Sequence, residues 1–331
     1  MRHTLALAAA ALAGGAAAQT PPTLTVYTYD SFVSDYGPGP EIERRFEAVC
    51  ACDLRFVAAG DGAALLARLR LEGARSPADI VLGLDANLTA EAAASGLFAP
   101  HGIEPPPLDL PAAWDDPVFL PYDWSWFAFI HDATRLPDPP TSFAALLDAP
   151  PEVTIVIQDP RTSTPGLGLL MWVEALYGAQ AGAVWERLAP RIVTVTKGWW
   201  EAYSAFLQGE AAMVLSYTTS PAYHAIVEGD ETKRAAPFAE GHYLQVEVAG
   251  MLAASAQPAL ARRFLAFMLS EPFQSAIPTT NWMYPAVTPA AGLPEGFEAL
   301  HRPDVSLLFA PAEAAARRGP AVETWRDALS R

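Results

Sequence analysis

Short apolar runs and longer amphipathic runs alternate along the first hundred residues. The β-branched stretch 24–28 predicts a buried strand, and 79–82 is a second run of the same kind. Apolar residues recur at helical spacing from Pro40, from Asp61 and from Thr89. Asp61 is expected to cap the helix that it begins. This alternation of strand and helix is typical of parallel α/β layers.

The alternation breaks at 114–140, a segment rich in aromatic residues, and then resumes. Strands are expected at 154–157, 192–195 and 213–216, and helices from Ser142, over 165–177, from Glu201, from Pro221 and over 258–269. An extended segment at 244–248 is suited to cross back to the first half, and Pro320 should interrupt the last helix. The pattern predicts an α/β fold with two lobes joined by crossing strands.

The expected lobes are not continuous in sequence. We expect lobe 1 to comprise 19–124 together with about 247–285, and lobe 2 to comprise 125–246. The C-terminal segment 286–331 is not assigned to either lobe.

The N-terminus predicts export. A basic start at Arg2 precedes the apolar run 4–13, and Ala16-Ala17-Ala18 follows. This order is the pattern of a secretory signal peptide over 1–18, with cleavage after Ala18. The apolar run is shorter than the roughly 20 residues that a spanning helix needs. We therefore expect a soluble, exported mature protein.

Composition and charge limit the kinds of molecule that the protein is expected to bind. The chain has 331 residues, of which 51% are apolar, and Lys plus Arg number 21 against 37 Asp plus Glu. Apolar content of this size supplies a substantial core and excludes general disorder. The formal net charge of −16 disfavours nucleic acid and favours a small cation.

Motifs for catalysis or metal binding are not found. The sequence contains no G-x-S-x-G, Walker A or H-E-x-x-H motif, and its six histidines are scattered. Cys50 and Cys52 form a C-x-C pair, for which a local disulfide and two free thiols both stay open. No second ligand pair completes a zinc site. A non-enzymatic protein without a cofactor or metal is expected.

Aromatic residues cluster near the ends of the predicted strands, where ligands bind in open α/β sheets. The candidates are Tyr29, Tyr36, Trp199, Tyr217, Tyr223 and Trp282. Aromatic rings in loops either pack beneath the loops or form a stacking box for a flat or cationic ligand. Asp85, at the end of a predicted strand, is a candidate counter-ion and alternatively a helix-entry residue. Asp30 is a weaker candidate for the same role.

Two hydroxyl-rich segments precede prolines that suit a first helical position. They are 162–165, Thr-Ser-Thr-Pro, and 218–221, Thr-Thr-Ser-Pro. Hydroxyls at a helix start either cap the helix or, with its free N–H groups, bind an anion. A ligand with a cationic ring and an anionic group would use both the aromatic residues and these segments.

Several blocks of sequence resemble one family. In order along the chain they are LTVYTYDSF (24–32), GPGP (37–40), DIVLGLD (79–85), QDPRTSTPGLG (158–168), TVTKGW (194–199), LSYTTSPAYH (215–224), EGHYLQVE (240–247) and NWMYP (281–285). Together they resemble the thiamine-binding proteins of bacterial ABC importers, from about residue 23 to near the C-terminus.

The resemblance implies a type II periplasmic binding protein fold, in which two lobes close on a ligand in the cleft between them. It implies binding of thiamine and its mono- and diphosphate, delivery to a membrane permease and its ATPase, and a monomeric receptor. The six aromatic candidates would surround the two rings of the ligand. Asp61 would accept hydrogen bonds from the aminopyrimidine. The hydroxyl or phosphate end would meet the helix start, where the candidates are Thr162, Ser163, Thr164 and Gly166.

The family is expected to have a tryptophan where this chain has Tyr36. A tyrosine ring stacks with less area, so the substitution is expected to affect affinity and not the identity of the ligand.

Rival cargoes in the same fold are a polyamine, a choline-like cation or ferric ion. A rival of another class is an exported enzyme that acts on thiamine.

Overall fold

Residues 20–330 are described by the computed structural model. The predicted signal peptide at 1–18 and its cleavage point lie outside the described residues. The strands are β1 Thr23–Thr28, β2 Asp53–Ala58, β3 Ile80–Asp85, β4 Phe98–Ala99, β5 Phe119–Asp132, β6 Ile155–Gln158, β7 Ile192–Thr196, β8 Met213–Tyr217, β9 Lys233–Ala235, β10 His242–Leu252, β11 Tyr284–Pro285 and β12 Ser306–Leu307.

The helices fill the intervals between these strands. They are α1 Gly39–Cys50, α2 Gly62–Glu72, α3 Thr89–Ala94, α4 Phe143–Asp148, α5 Thr164–Tyr177, α6 Ala181–Leu188, α7 Trp199–Leu207, α8 Pro221–Tyr223, α9 Pro258–Met268, α10 Glu271–Gln274, α11 Ile277–Thr280 and α12 Pro311–Leu329. A π-helical turn, His224–Glu228, continues α8. Asp61 caps α2, and the Ser142 side chain caps α4, as the sequence predicts.

Two parallel groups of strands meet at two long antiparallel ones. The main strand order is β2-β1-β3-β10-β5-β8-β6-β7. Strands β1, β2 and β3 are parallel to one another, and so are β6, β7 and β8. Strand β5 pairs with β10 through its first half and with β8 through its second half. The chain therefore passes between the two groups along β5 and again along β10.

The aromatic segment that breaks the alternation forms this passage. Strand β5 is buried along its length up to Asp132, and its rings pack on both sides of the sheet. Trp124 stacks on Tyr284 with ring centroids 4.6 Å apart. A strand buried on both faces needs no alternation of polar and apolar residues, so β5 is mostly apolar. Its buried polar residues Asp123 and Ser125 are hydrogen-bonded.

The helical run 164–191 is apolar and long enough to cross a membrane, yet half of its most apolar window is buried within the structure. Its first helix, α5, packs against β5, β8, β10 and α12. These are the contacts of a core helix in a globular protein.

Two local predictions need correction. Pro320 does not interrupt the last helix, since α12 continues through it over nineteen residues. Packing of α12 on α3, α5 and α6 holds the helix together although proline removes one backbone donor. The helix expected from Glu201 begins two residues earlier, because α7 starts at Trp199, so Trp199 and Trp200 are helical and not loop residues. The open question at the cysteines is settled by a disulfide between Cys50 and Cys52.

Candidate functional site

A cavity of about 490 Å³ lies where the two groups of strands face each other. Its wall is formed by Tyr29, Ser31, Tyr36, Asp61, Trp199, Trp200, Tyr203, Leu207, Tyr217, Ser220, Tyr223, His224, Val227, Glu228, Glu247, Thr279, Thr280, Asn281, Trp282 and Met283. All six aromatic candidates are in this wall, so segments more than 250 residues apart in sequence are brought together. The volume is in the range of small-molecule sites.

The aromatic residues hold one another in place. The Trp199 indole N–H donates to Ser216 Oγ over 2.7 Å, and its ring stacks on Tyr203 at a centroid distance of 5.1 Å. Tyr223 and Trp282 meet edge to face at 5.4 Å. Locked rings keep their faces available to a ligand and lose little rotamer entropy on binding.

Trp282 is held in an unusual backbone conformation. Its φ is +57°, in the left-handed region, and its N–H donates to the Ile277 carbonyl oxygen over 3.0 Å. A residue other than glycine adopts this region at a cost on the order of 1 kcal/mol or more, so it persists only where surrounding contacts impose it. The turn after α11 thereby directs this indole into the cavity wall.

Tyr36 and Trp200 form the outer part of the wall. Their rings lie 5.4 Å apart, and the two side chains are 52% and 47% exposed. Tyr36 precedes α1, whereas Trp200 is in the first turn of α7, so the pair joins segments from the two groups of strands.

A hydrogen-bonded junction lies at the inner end of the wall. Ser163 Oγ donates to Asp61 Oδ2 over 2.7 Å, and Thr164 Oγ1 donates to Asp61 Oδ1 over 3.3 Å. The Gly62 N–H donates to Asp61 Oδ1 and to Thr164 Oγ1. Burial raises the pKa of Asp61, although these donors favour its charged form.

This junction brings the starts of α2 and α5 into contact. A Cβ on Gly62 would lie 2.4 Å from Thr164 Oγ1, so only glycine fits there. The Ala64 N–H also donates to the Thr162 carbonyl oxygen. Asp61 thus supplies a carboxylate to the helix start at which the sequence predicts an anion site.

Four candidates near the start of α5 contact the protein and are not part of the cavity wall. Ser163 and Thr164 are buried and reach it only through Asp61. The Thr162 hydroxyl donates to the Lys197 carbonyl oxygen over 2.6 Å. Gly166 packs against β6, where a Cβ would lie 2.4 Å from the Gln158 carbonyl oxygen.

The second hydroxyl-rich segment is satisfied internally. Ser220 Oγ lies 2.7 Å from Ser216 Oγ, and Thr218 and Thr219 both contact Ser125 Oγ. Of these, Ser220 is in the cavity wall. Helix α8 has three residues, so the segment offers little more than turn geometry for an anion.

The two aspartates proposed as counter-ions lie elsewhere. Asp85 is fully buried, accepts a hydrogen bond from Asn87 over 2.8 Å, and is not in the cavity wall. Burial raises its pKa to about 6. Asp30 is exposed and accepts from the Gly60 N–H, which ties two loops together.

Besides Asp61 and the exposed Glu228, the wall contains a third acidic residue, Glu247 on β10. It accepts hydrogen bonds from the phenols of Tyr29 and Tyr122 over 3.0 and 2.6 Å. Sequence reasoning missed it, although a clue exists: Gln245 and Glu247 alternate with valines in an otherwise apolar strand. Asp123 and Asn281 complete the same hydrogen-bonded cluster.

His224, Glu228 and Asp230 are a possible set of metal ligands, with ligand atoms within 4.8 Å of one another. The His224 nitrogens are, however, engaged by Glu228 over 2.6 Å and by Tyr203 over 2.9 Å. The Lys233 ammonium lies 2.9 Å from Asp230. The cluster is satisfied as a network of hydrogen bonds and ion pairs.

Comparisons with known proteins agree with this geometry. The family model for bacterial extracellular solute-binding proteins matches residues 12–275. The thiamine-binding periplasmic protein of Escherichia coli (strain K12) is 53% identical over 310 residues, which cover 94% of each chain. The protein of the same name from Brucella suis biovar 1 (strain 1330) is 51% identical over 315 residues, covering 95% of this chain and 94% of that protein.

A solved structure of a periplasmic thiamin binding protein has a TM-score of 0.92 to this chain at 52% identity. The matched region covers 94% of this chain and 97% of the chain in that structure. The predicted fold, a type II periplasmic binding protein, is confirmed by this similarity and by the family model. The family description and the names of the relatives are those of binding proteins, which confirms the prediction that the chain is not an enzyme.

Proposed function

Since the chain belongs to the bacterial extracellular solute-binding proteins, we propose that it binds thiamine and its mono- and diphosphate and delivers them to an ABC importer. The observation that carries the proposal is the composition of the cavity wall. Six aromatic candidates and two acidic groups at its inner end, Asp61 and Glu247, surround a space for a small molecule. No Lys or Arg is in the part of the wall that residues 20–330 form.

This wall suits a flat ligand with a fixed positive charge. Cations are attracted to aromatic faces by about 0.5–2 kcal/mol per contact, more where water is excluded. The Trp199 ring supported by Tyr203, and the Tyr223–Trp282 pair, present such faces. We assign the thiazolium and pyrimidine rings to the space between them, with Tyr29, Tyr36 and Tyr217 completing the wall.

The junction of Asp61 with Ser163 and Thr164 changes one expected role. Asp61 and Ser163 are in direct contact, so they belong to the same end of a bound ligand. We assign both to the end that carries the hydroxyl or phosphate group, and not Asp61 to the aminopyrimidine. A hydroxyl can donate to the Asp61 carboxylate. A phosphate must displace that carboxylate from the start of α5 or meet it protonated.

Delivery would follow closure of the two lobes, because β5 and β10 connect them and the wall draws residues from both sides. The partners proposed are the permease and its ATPase, with no nucleic acid partner and no resident cofactor. The receptor would be a monomer in the periplasm, contacting the membrane only through the permease. Its N-terminus would be Gln19, which the intact mass of the exported protein tests.

The experiment is a titration of refolded, ligand-stripped protein with thiamine, followed by tryptophan fluorescence and calorimetry. We expect saturable binding with a Kd below about 1 µM, which corresponds to roughly 8 kcal/mol. Choline and spermidine serve as controls and should not compete. Chromatography should recover the thiamine unaltered. A stronger response to spermidine, or conversion of thiamine, would contradict the proposal.

A further inference from the structure

Two carboxyl groups lie beside the cavity on the two strands that connect the lobes. Glu247 of β10 and Asp123 of β5 are direct partners in the antiparallel pairing. Asp123 is fully buried, and Glu247 is 5% exposed through the cavity wall. Two acids this close to each other in a buried place cannot both be charged without a strong penalty.

Their hydrogen bonds distinguish the two acids. Glu247 accepts from Tyr29, from Tyr122 and, over 2.8 Å, from Gln245 Nε2. Asp123 accepts from Asn281 Nδ2 over 2.6 Å through one oxygen, and its Oδ1 has no hydrogen-bond partner among the described residues. Three donors stabilise an ionised Glu247, whereas one donor stabilises an ionised Asp123. When the pair holds one proton, that proton therefore belongs on Asp123.

The groups that face this pair are neutral or acidic. They are the phenols of Tyr29, Tyr122 and Tyr217 and the carboxyl of Asp61. Burial raises the pKa of Glu247 to about 7 and raises the pKa of Asp123 well above its ordinary value. Glu247 is therefore poised to exchange a proton near neutral pH.

We propose that Glu247 is the counter-ion of the ligand's positively charged ring, and that binding expels the proton which Glu247 holds in the empty protein while Asp123 keeps its own. The inference rests on the proposed function, because the thiazolium of thiamine supplies the fixed charge. It gives the protein a means of selecting a cationic ring over a neutral ring of the same shape.

The direction of the pH dependence follows from the proton count. A bound cation favours ionised Glu247, so its pKa is lower in the complex than in the empty protein. Below about pH 7 the empty protein must release a proton to bind, and affinity rises by up to roughly tenfold per pH unit. Above about pH 7 Glu247 is already ionised, and affinity levels off.

Calorimetry in buffers of different ionisation enthalpy measures the proton release directly. For thiamine and the natural protein we expect a proton release that increases as the pH falls from 8 to 6. Glu247→Gln should abolish the release, flatten the pH profile and weaken binding at pH 8 by tenfold or more. An analogue of thiamine with an uncharged thiophene ring should bind the natural protein without releasing a proton.

Asp123→Asn is the matched control, because an amide is a neutral group of the same shape as the protonated carboxyl. It should leave the proton release unchanged. Thiamine binding without proton release, or equal release from Glu247→Gln, would overturn this inference alone. No binding of thiamine at all would overturn the proposed function as well. If Glu247→Gln fails to fold, the comparison of the two ligands on the natural protein decides the matter.

Discussion

The two ends of the cavity differ in whether their groups already bond to one another before a ligand binds. At the aromatic end, Trp199 and Trp282 are fixed by protein contacts and still present their faces to open space. At the junction, Asp61, Ser163 and Thr164 already bond to one another. A ring that enters the aromatic end adds contacts, whereas a ligand at the junction exchanges hydrogen bonds.

This difference predicts that the two ends contribute differently to affinity and to selectivity. Added apolar and cation–π contacts contribute directly to affinity. Exchanged hydrogen bonds contribute little net free energy, but a mismatch that leaves a buried group unpaired costs about 1–3 kcal/mol. The aromatic end should therefore set how tightly the ligand binds, and the junction should decide between thiamine and its phosphate esters.

The largest effect is expected from Trp199→Ala. The variant removes a face that Tyr203 supports from behind, and tryptophans in such desolvated positions are typical hot spots. We expect a loss of about 2 kcal/mol, roughly thirtyfold in Kd, for thiamine and for its monophosphate alike. Calorimetry with both ligands measures it.

Trp200→Ala is the matched control for that variant, since it deletes the same side chain one residue later on the exposed part of the wall. It should cost clearly less than Trp199→Ala. Equal losses would indicate that the start of α7 has been disturbed and not that a stacking face has been lost. A loss confined to the monophosphate would contradict the division between the two ends.

A change of preference is expected from Asp61→Asn. The amide keeps a hydrogen-bond acceptor for the Gly62 N–H but removes the negative charge from the start of α5. Binding of thiamine should weaken by a few-fold, because its hydroxyl loses a charged acceptor. Binding of the monophosphate should strengthen, so the ratio of the two Kd values shifts by about tenfold toward the ester.

Asp30→Asn makes the same charge change on a nearby loop, outside the cavity wall. Its ratio of Kd values should equal that of the natural protein. A similar shift in both variants would assign the effect to the general field of the protein and remove Asp61 from the proposed junction.

Local signals in the sequence predicted much of this arrangement. The cap at Asp61 and the strand ends at Tyr29 and Tyr217 are short-range features, and placing the aromatic residues at strand ends was sufficient to collect them around one cavity. The alternation of strand and helix predicted two α/β lobes, and the resemblance to a family added the type II periplasmic binding protein fold. Neither required knowledge of which strand pairs with which.

The acidic residues show where such reasoning stops. Asp85 and Glu247 both lie in apolar strands and are direct partners in the pairing of β3 with β10. Only Glu247 is in the cavity wall, whereas Asp85 turns to Asn87. Which of two such residues meets the ligand depends on strand register and packing, and these are set by contacts between distant segments.

The smallest effect is expected from Tyr36→Trp, at the exposed limit of the aromatic end. Tyr36 is 52% exposed and lies 5.4 Å from the Trp200 ring, so a larger ring can cover more of the ligand without displacing a core residue. If it buries roughly 20–40 Å² more apolar surface, the gain is about 0.5–1 kcal/mol, or two- to fivefold in Kd.

Tyr36→Phe is the control for this variant. It keeps the ring area and should leave the Kd within a factor of two. Calorimetry at pH 8, where Glu247 is ionised in both states, isolates the contribution of the ring. A gain limited to the monophosphate would place Tyr36 at the other end of the ligand and reverse the proposed orientation of thiamine in the cavity.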